Sequence, residues 1–135
     1  MHVHTRFMKD GVNVMADDGG LTDTAKKVIA GYLMCSKSLT AFGNTVPTSF
    51  LRLVPHQEAP TSICWGDRNR SVLVRVPLGW QGVGDRMLRH ANPLEPAGGN
   101  VRIENNQTVE LRSPDGSANV YMLLAGMAVA ARYGL

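Results

Sequence analysis

Between Ala25 and Leu33 the apolar residues fall at Ala25, Val28, Ile29, Tyr32 and Leu33, with Lys26 and Lys27 on the opposite side. Spacings of three and four put those five positions on one face of a helix. Thr22 or Asp23 can cap its start, and Asp23 then sits in the first turn beside the positive dipole end. The pattern predicts a helix that continues towards Phe42 and stops near Gly43-Asn44. A second helix is predicted over residues 118–134, opened by Asp115 or Ser117. It is apolar nearly all round, which predicts a place deep inside a larger assembly. Its apolar run, Val120 to Ala131, is shorter than the roughly 20 residues needed to span a bilayer.

Elsewhere the period is two. In "MHVHTRF" a strand would put His2, His4 and Arg6 on one face and Val3, Thr5 and Phe7 on the other. Lys9-Asp10-Gly11 turns it into a short return strand, Val12 to Met15. "TVPTSFLRLVPHQEAP" holds three prolines in sixteen residues, which forbids a regular helix and predicts an ordered, extended loop. "TSICW" and "SVLVRVP" read as strands joined by "GDRN" in a hairpin. Residues 78–100, with seven glycines and prolines, read as a long surface excursion, and 101–106 as a short strand. "QTVELRSP" is a strand with Thr108, Glu110 and Arg112 on one face and Val109 and Leu111 on the other.

Composition narrows the class. The chain has 135 residues, 44% of them hydrophobic and 19% charged, which is ordinary for one globular domain. Net charge is +3, and arginine dominates the basic residues. Guanidinium groups grip carboxylates and phosphates through two parallel hydrogen bonds, so the excess points towards anions. Nucleic acid is disfavoured, because the arginines alternate with Glu and His and aromatics are only 6%. Cys35 and Cys64 have neither disulfide nor metal spacing and read as two reduced, buried thiols of a cytoplasmic protein. No signal peptide is visible, since His2, His4 and Arg6 interrupt the start.

The strands repeatedly carry His, Glu and Arg where a solvated face would carry Lys and Thr. The set is His2, His4, Arg52, Glu58, Arg68, Arg70, Arg75, Glu110 and Arg112. Each has an ordinary reading: a lone strand histidine is usually a surface or satisfied core residue, and a strand Arg near a Glu is usually a surface ion pair worth little. Arg70 and Arg75 also differ in parity, so a bulge or a strand end is needed to aim both inward.

Together these residues lie in segments that resemble a family. "MHVH", "FLRLVPHQEAP", "GDRNRSVLVRVP" and "VELRSPDGSANVYMLLAGMAVAA" are similar, in order, to motifs of the glutamine synthetase catalytic domain. The family patterns are H-x-H, K-R-L-V-P-G-Y-E-A-P, R-N-R-S with I-R-I-P, and I-E-x-R-x-P-D followed by S-A-N-P-Y. "LTDTAKKVIAGYLMCSKSLTAFGNT" resembles the helix between the first two, and the "PDGSAN" wording leans towards the type III branch. The resemblance implies an α+β fold over residues 1–135, with antiparallel strands from the catalytic barrel packed against two main helices.

The activity it implies is ATP-dependent ligation of ammonia to L-glutamate through a γ-glutamyl phosphate, with Mg or Mn. Joining two anions needs dense positive charge. By resemblance, His2 and Glu110 are metal ligands and His4 approaches ATP. Arg52 and Arg112 hold the glutamate carboxylates. Arg70 bridges substrate and the transferring phosphate, and Arg75 contacts ATP phosphates. Glu58 sits on a flap that closes over glutamate and helps form the ammonium site, and with Arg70 it is the catalytic pair. The implied partners are glutamate, ammonia, ATP and further copies of the chain; no nucleic acid or membrane is implied.

The pattern departs from the family at several points. Thr5 and Arg6 replace a nucleotide-contacting stretch. Thr108 stands where an Arg is common, so one phosphate-binding arginine is lost unless Arg102 reaches in. His56 and Gln57 replace Gly-Tyr on the flap. The family's β-grasp domain and upstream acidic metal strands are not in this sequence. The expectation is therefore a partial catalytic domain of poor activity by itself. The alternative is a non-catalytic relic, or a self-associating module with a weak nucleotide or anion site.

Overall fold

The computed structural model describes residues 1–17, 20–77, 94 and 106–135. The excursion over 78–100 and the short strand over 101–106 fall almost wholly outside the described residues, as does Arg102.

The opening strand β1 is short, Val3–Thr5, with Val3 and Thr5 half-buried and His4 exposed, as the period-two pattern requires. A tight hairpin follows: β2 (Met8–Lys9) pairs with β3 (Val12–Asn13) around Asp10 and Gly11. Both turn residues have positive φ, 51° and 77°. That is the turn whose twist suits a two-residue hairpin, and it explains the Asp-Gly pair. A second small ribbon joins β4 (Ala16–Asp17) to β5 (Gly20–Leu21).

Helix α1 spans Asp23–Met34 and is capped by Thr22, whose side chain accepts a hydrogen bond from the Ala25 amide. Ala25, Val28, Ile29, Gly31 and Tyr32 are buried, and Leu33, at the edge of the predicted face, is half-buried. The predicted single helix is in fact two. The chain breaks at Cys35, and α2 runs Ser36–Gly43. No glycine or proline marks the break. Its reason is tertiary, since both segments pack against the last helix, α3 (Val120–Gly134). At the crossing, a Cβ on Gly31 would lie 2.0 Å from the Ala130 carbonyl oxygen, and one on Gly134 2.1 Å from that of Lys27. Further along, Leu39 and Phe42 press on Gly126.

The first part of the proline-rich segment is not extended. Pro47–Arg52 coils into a 3-10 helix, with Pro47 at its start, where the missing N–H costs nothing. The main sheet has four strands in the order β1-β8-β7-β6, where β6 is Ser62–Asp67, β7 Val72–Val76 and β8 Val109–Leu111. β1/β8 and β8/β7 are antiparallel. β6 and β7 run parallel, not as the expected hairpin, and β6 is bulged between Ser62 and Trp65. The four connecting residues are far fewer than a usual crossover and return through bends at Arg68, Arg70 and Ser71, with Asn69 Oδ1 accepting from the Ser71 amide and hydroxyl. Arg68, at φ 55°, starts that return. The fold is α+β, and among the described residues the sheet is open.

The core lies between the sheet and the helices, with Val74, Val109 and Leu111 packed with Val28, Ile29, Tyr32, Leu123 and Met127. α3 is capped by Asn119 and not by Asp115 or Ser117. Those two instead form the turn before it, Asp115 accepting from the Ser117 amide and hydroxyl. α3 buries Leu123, Met127, Ala130 and Ala131 and leaves Tyr121, Val129 and Tyr133 exposed, so among the described residues it is covered on one side only. Both cysteines are free, but neither is fully buried: Cys35 is half-buried and Cys64 exposed. Among the described residues no helix is long and apolar enough to cross a membrane.

Candidate active site

The centre of the site is Glu110, in the middle of β8 and completely buried. Alternation puts Glu110 and Arg112 on one face of this strand and Val109 and Leu111 on the other, and both faces are covered: Val109, Glu110 and Leu111 are all buried, and Arg112 is 1% exposed. A carboxylate is stable there only if it is paired and hydrogen-bonded.

Register supplies the partners. β1 puts His4 and β7 puts Arg75 directly across from Glu110. Arg75 Nε donates to Oε2 at 2.5 Å. Arg112 Nη1 donates to Oε1 at 3.1 Å, and His2 Nδ1 lies 2.8 Å from the same oxygen. His4 Nε2 is 3.8 Å away, and its Nδ1 meets Thr108 Oγ1 at 3.1 Å. Two guanidinium charges against one carboxylate leave a net positive site before either imidazole is counted.

Burial, and then the charge of Arg112, push the His2 pKa below its ordinary value despite the pull of Glu110. A carboxylate only accepts, so the His2 Nδ1 that faces Glu110 carries a proton. Burial also lowers Arg112, and the Glu110 charge opposes it. A guanidinium starts so high that it stays charged.

The remaining predicted residues form a rim. Arg112 Nη2 donates to the Glu58 carbonyl at 3.0 Å, tying the flap segment to the cluster. The Glu58 carboxylate pairs with Arg70. Arg70 precedes β7, so the parity problem is solved by a strand end and not by a bulge. Arg52 Nη2 donates to the carbonyls of Ser113 at 2.6 Å and Pro114 at 3.0 Å. Arg68 is not part of the group and pairs with Asp67. The Nε atoms of Arg52 and Arg112 are buried without a hydrogen-bond partner. Unsatisfied buried donors are costly, and an anion or water would satisfy them. The carbonyls that hold Arg52 leave no mark in residue type, so the sequence could not reveal them.

A divalent metal does not fit the described residues by themselves. Magnesium takes about six oxygen ligands, and manganese is similar. Among the described residues no group of three or more His, Cys, Asp or Glu side chains could hold a metal ion. Glu110 is the one carboxylate of the cluster, and both its oxygens already meet cationic or N–H groups.

The α+β fold thus gathers two imidazoles and two guanidiniums around one buried carboxylate, on a sheet packed against three helices. The family profile described as "Glutamine synthetase, catalytic domain" matches residues 1–95. The chain belongs to this family. It is 42% identical over 127 residues to the glutamine synthetase of Thermococcus kodakarensis, covering 94% of this chain and 24% of that one. With the Vibrio cholerae glutamine synthetase identity is 35% over 137 residues, covering 100% of this chain and 24% of the relative. The cryo-EM structure of Plasmodium falciparum glutamine synthetase shares the fold, with TM-score 0.75 and 20% identity over 98% of this chain and 22% of that one. The chain thus spans about a quarter of the length of the relatives it matches.

Proposed function

We propose that this chain supplies the anion-handling part of an ATP-dependent ligase of the cytoplasm that joins ammonia to L-glutamate. The terminal phosphoryl of ATP passes to the glutamate side-chain carboxylate, and ammonia then displaces phosphate from the acyl phosphate. The products are L-glutamine, ADP and phosphate. The observation that carries this reading is the convergence of Arg75, Arg112, His2 and His4 on Glu110, drawn from three strands. Bringing phosphate and carboxylate together requires such a surplus of fixed positive charge.

In this reading Arg52 and Arg112 hold the glutamate carboxylates, and their two unpartnered Nε donors support that role. Arg70 bridges substrate and the transferring phosphate, Arg75 contacts ATP phosphates and His4 approaches the nucleotide. Glu58 closes over glutamate on its proline-flanked segment and steers ammonium. Exchange of the Arg70–Glu58 pair for substrate contacts releases both side chains for this work. Mg or Mn enters only with ligands beyond the described residues, joined by His2 and Glu110. Free thiols agree with a reducing compartment.

Incubating the chain with glutamate, ammonia, ATP and magnesium or manganese, with glutamine as the readout, tests the incomplete-site part of the reading. Negligible turnover is expected, and turnover typical of enzymes would overturn it. Glutamate and ATP should still raise the thermal midpoint by mass action, more weakly in Arg52→Ala. No shift with either ligand would sink the anion site. The second reading, a self-associating module, rests on the exposed apolar side of α3. A concentration-dependent sizing profile distinguishes it.

A further inference from the structure

We propose a second, separate binding site, for a short-chain aliphatic monocarboxylate. It lies in a cavity of about 240 Å³ between the first turns of α2, the entry to β6 and Ser113, two residues past β8. None of the residues assigned above to glutamate or ATP lines it.

Its chemistry is divided. Leu53, Pro60, Ile63 and Leu73 form an apolar wall. Among the described residues Lys37 contributes the one charge of the lining, and no carboxylate lines it. Ser113 is 3% exposed, and its Oγ is buried without a hydrogen-bond partner. The Ser113 backbone is fixed, because its carbonyl accepts from Asn44 Nδ2 at 2.8 Å and Arg52 Nη2 at 2.6 Å. Ser113 thus lines the cavity with its backbone fixed, and its hydroxyl has an unmet hydrogen bond. A buried polar group in that state costs stability until a ligand or water satisfies it.

These features select the ligand. A positive lining charge favours an anion. One ammonium and one hydroxyl match a single carboxylate. The apolar wall favours a hydrocarbon body, and the volume lies below that of pockets for drug-sized molecules, so the body is a few carbons long. An inorganic anion would leave the apolar wall unused.

The test is a titration of the full chain followed by amide chemical shifts, with sodium butyrate as probe at constant ionic strength. Butyrate should shift amides of residues 36–40, 61–63 and 113 saturably. Lys37→Met and Ser113→Ala should each weaken binding about fivefold or more, and Lys37→Arg should restore most of it. n-Butylammonium, with the same body and the opposite charge, should not compete. The proposal is overturned if butyrate gives no saturable shifts, if butylammonium competes, if phosphate binds the same amides as tightly, or if Lys37→Met leaves affinity unchanged. Lys37 is on the surface, so that variant decides the matter even if Ser113→Ala fails to fold. The amides of residues 36–40 and 61–63 lie in segments that hold none of the residues assigned to glutamate or ATP, so saturable shifts there separate this site from the ligase reading, whereas shifts confined to residue 113 would overturn the proposal.

Discussion

Arg75 on β7 and Glu110 on β8 are direct cross-strand partners, and the guanidinium Nε meets the carboxylate at 2.5 Å. Glu110 is wholly buried and Arg75 only partly, so the pair runs from the core towards the open side of the cluster. The carboxylate organises the cations and the cations make the buried carboxylate tolerable. The two sides of that relationship can be separated by substitution.

Glu110→Gln keeps the shape and removes the charge. Arg112, buried beside it, then has no counter-charge. Breaking a buried pair by deleting one partner costs about 3 kcal/mol or more. Urea unfolding should show a loss of that order, and a loss below about 1 kcal/mol would show that Arg112 does not depend on Glu110.

Arg70→Ala should behave in the opposite way. Arg70 and Glu58 are 64% and 76% exposed, and a solvated pair of that kind contributes under about 1 kcal/mol. The thermal midpoint should scarcely move. The effect should fall on substrate instead, as a weaker stabilisation by glutamate and ATP. A large loss of stability would make Arg70 a structural residue.

Gly31→Ala tests the helix crossing. A methyl there would lie 2.0 Å from the Ala130 carbonyl oxygen, which is rigid helix backbone. The helices must separate, at a cost of about 3 kcal/mol, the upper part of the usual range for overpacking. Gly116→Ala, where an added Cβ meets nothing within 4 Å, is the control and should be nearly neutral.

Asp115 gives a pH dependence with a definite sign. Hydrogen bonds from Ser117 and then Ser49 lower its pKa to about 2. A folded pKa below the unfolded value means that the stabilisation is complete above the ordinary carboxylate range of about 4 and fades as pH falls from there towards 2. Asp115→Asn should flatten that part of the stability curve. An unchanged slope between pH 4 and 2 would show that the turn before α3 does not hold the charge.

Local pattern was enough for most of α1, where four of the five residues the three-and-four spacing selects are buried and Leu33 is half-buried, and for the Asp10-Gly11 turn, whose positive φ angles follow from residue type. It was enough too for the kinship of the motifs, because motif side chains are written as residue types. It could not give the break at Cys35, since close packing against α3 made the chain bend and not any local breaker. Nor could it give the parallel course of β6 and β7, because a four-residue connector with turn residues reads as a hairpin until the sheet is assembled. The same limit explains Glu110. Alternation marks which residues share a strand face, but not whether that face meets water. Only the pairing of β1, β8 and β7 buried the carboxylate and set His2, His4, Arg75 and Arg112 around it, because residues far apart in sequence become neighbours through register alone.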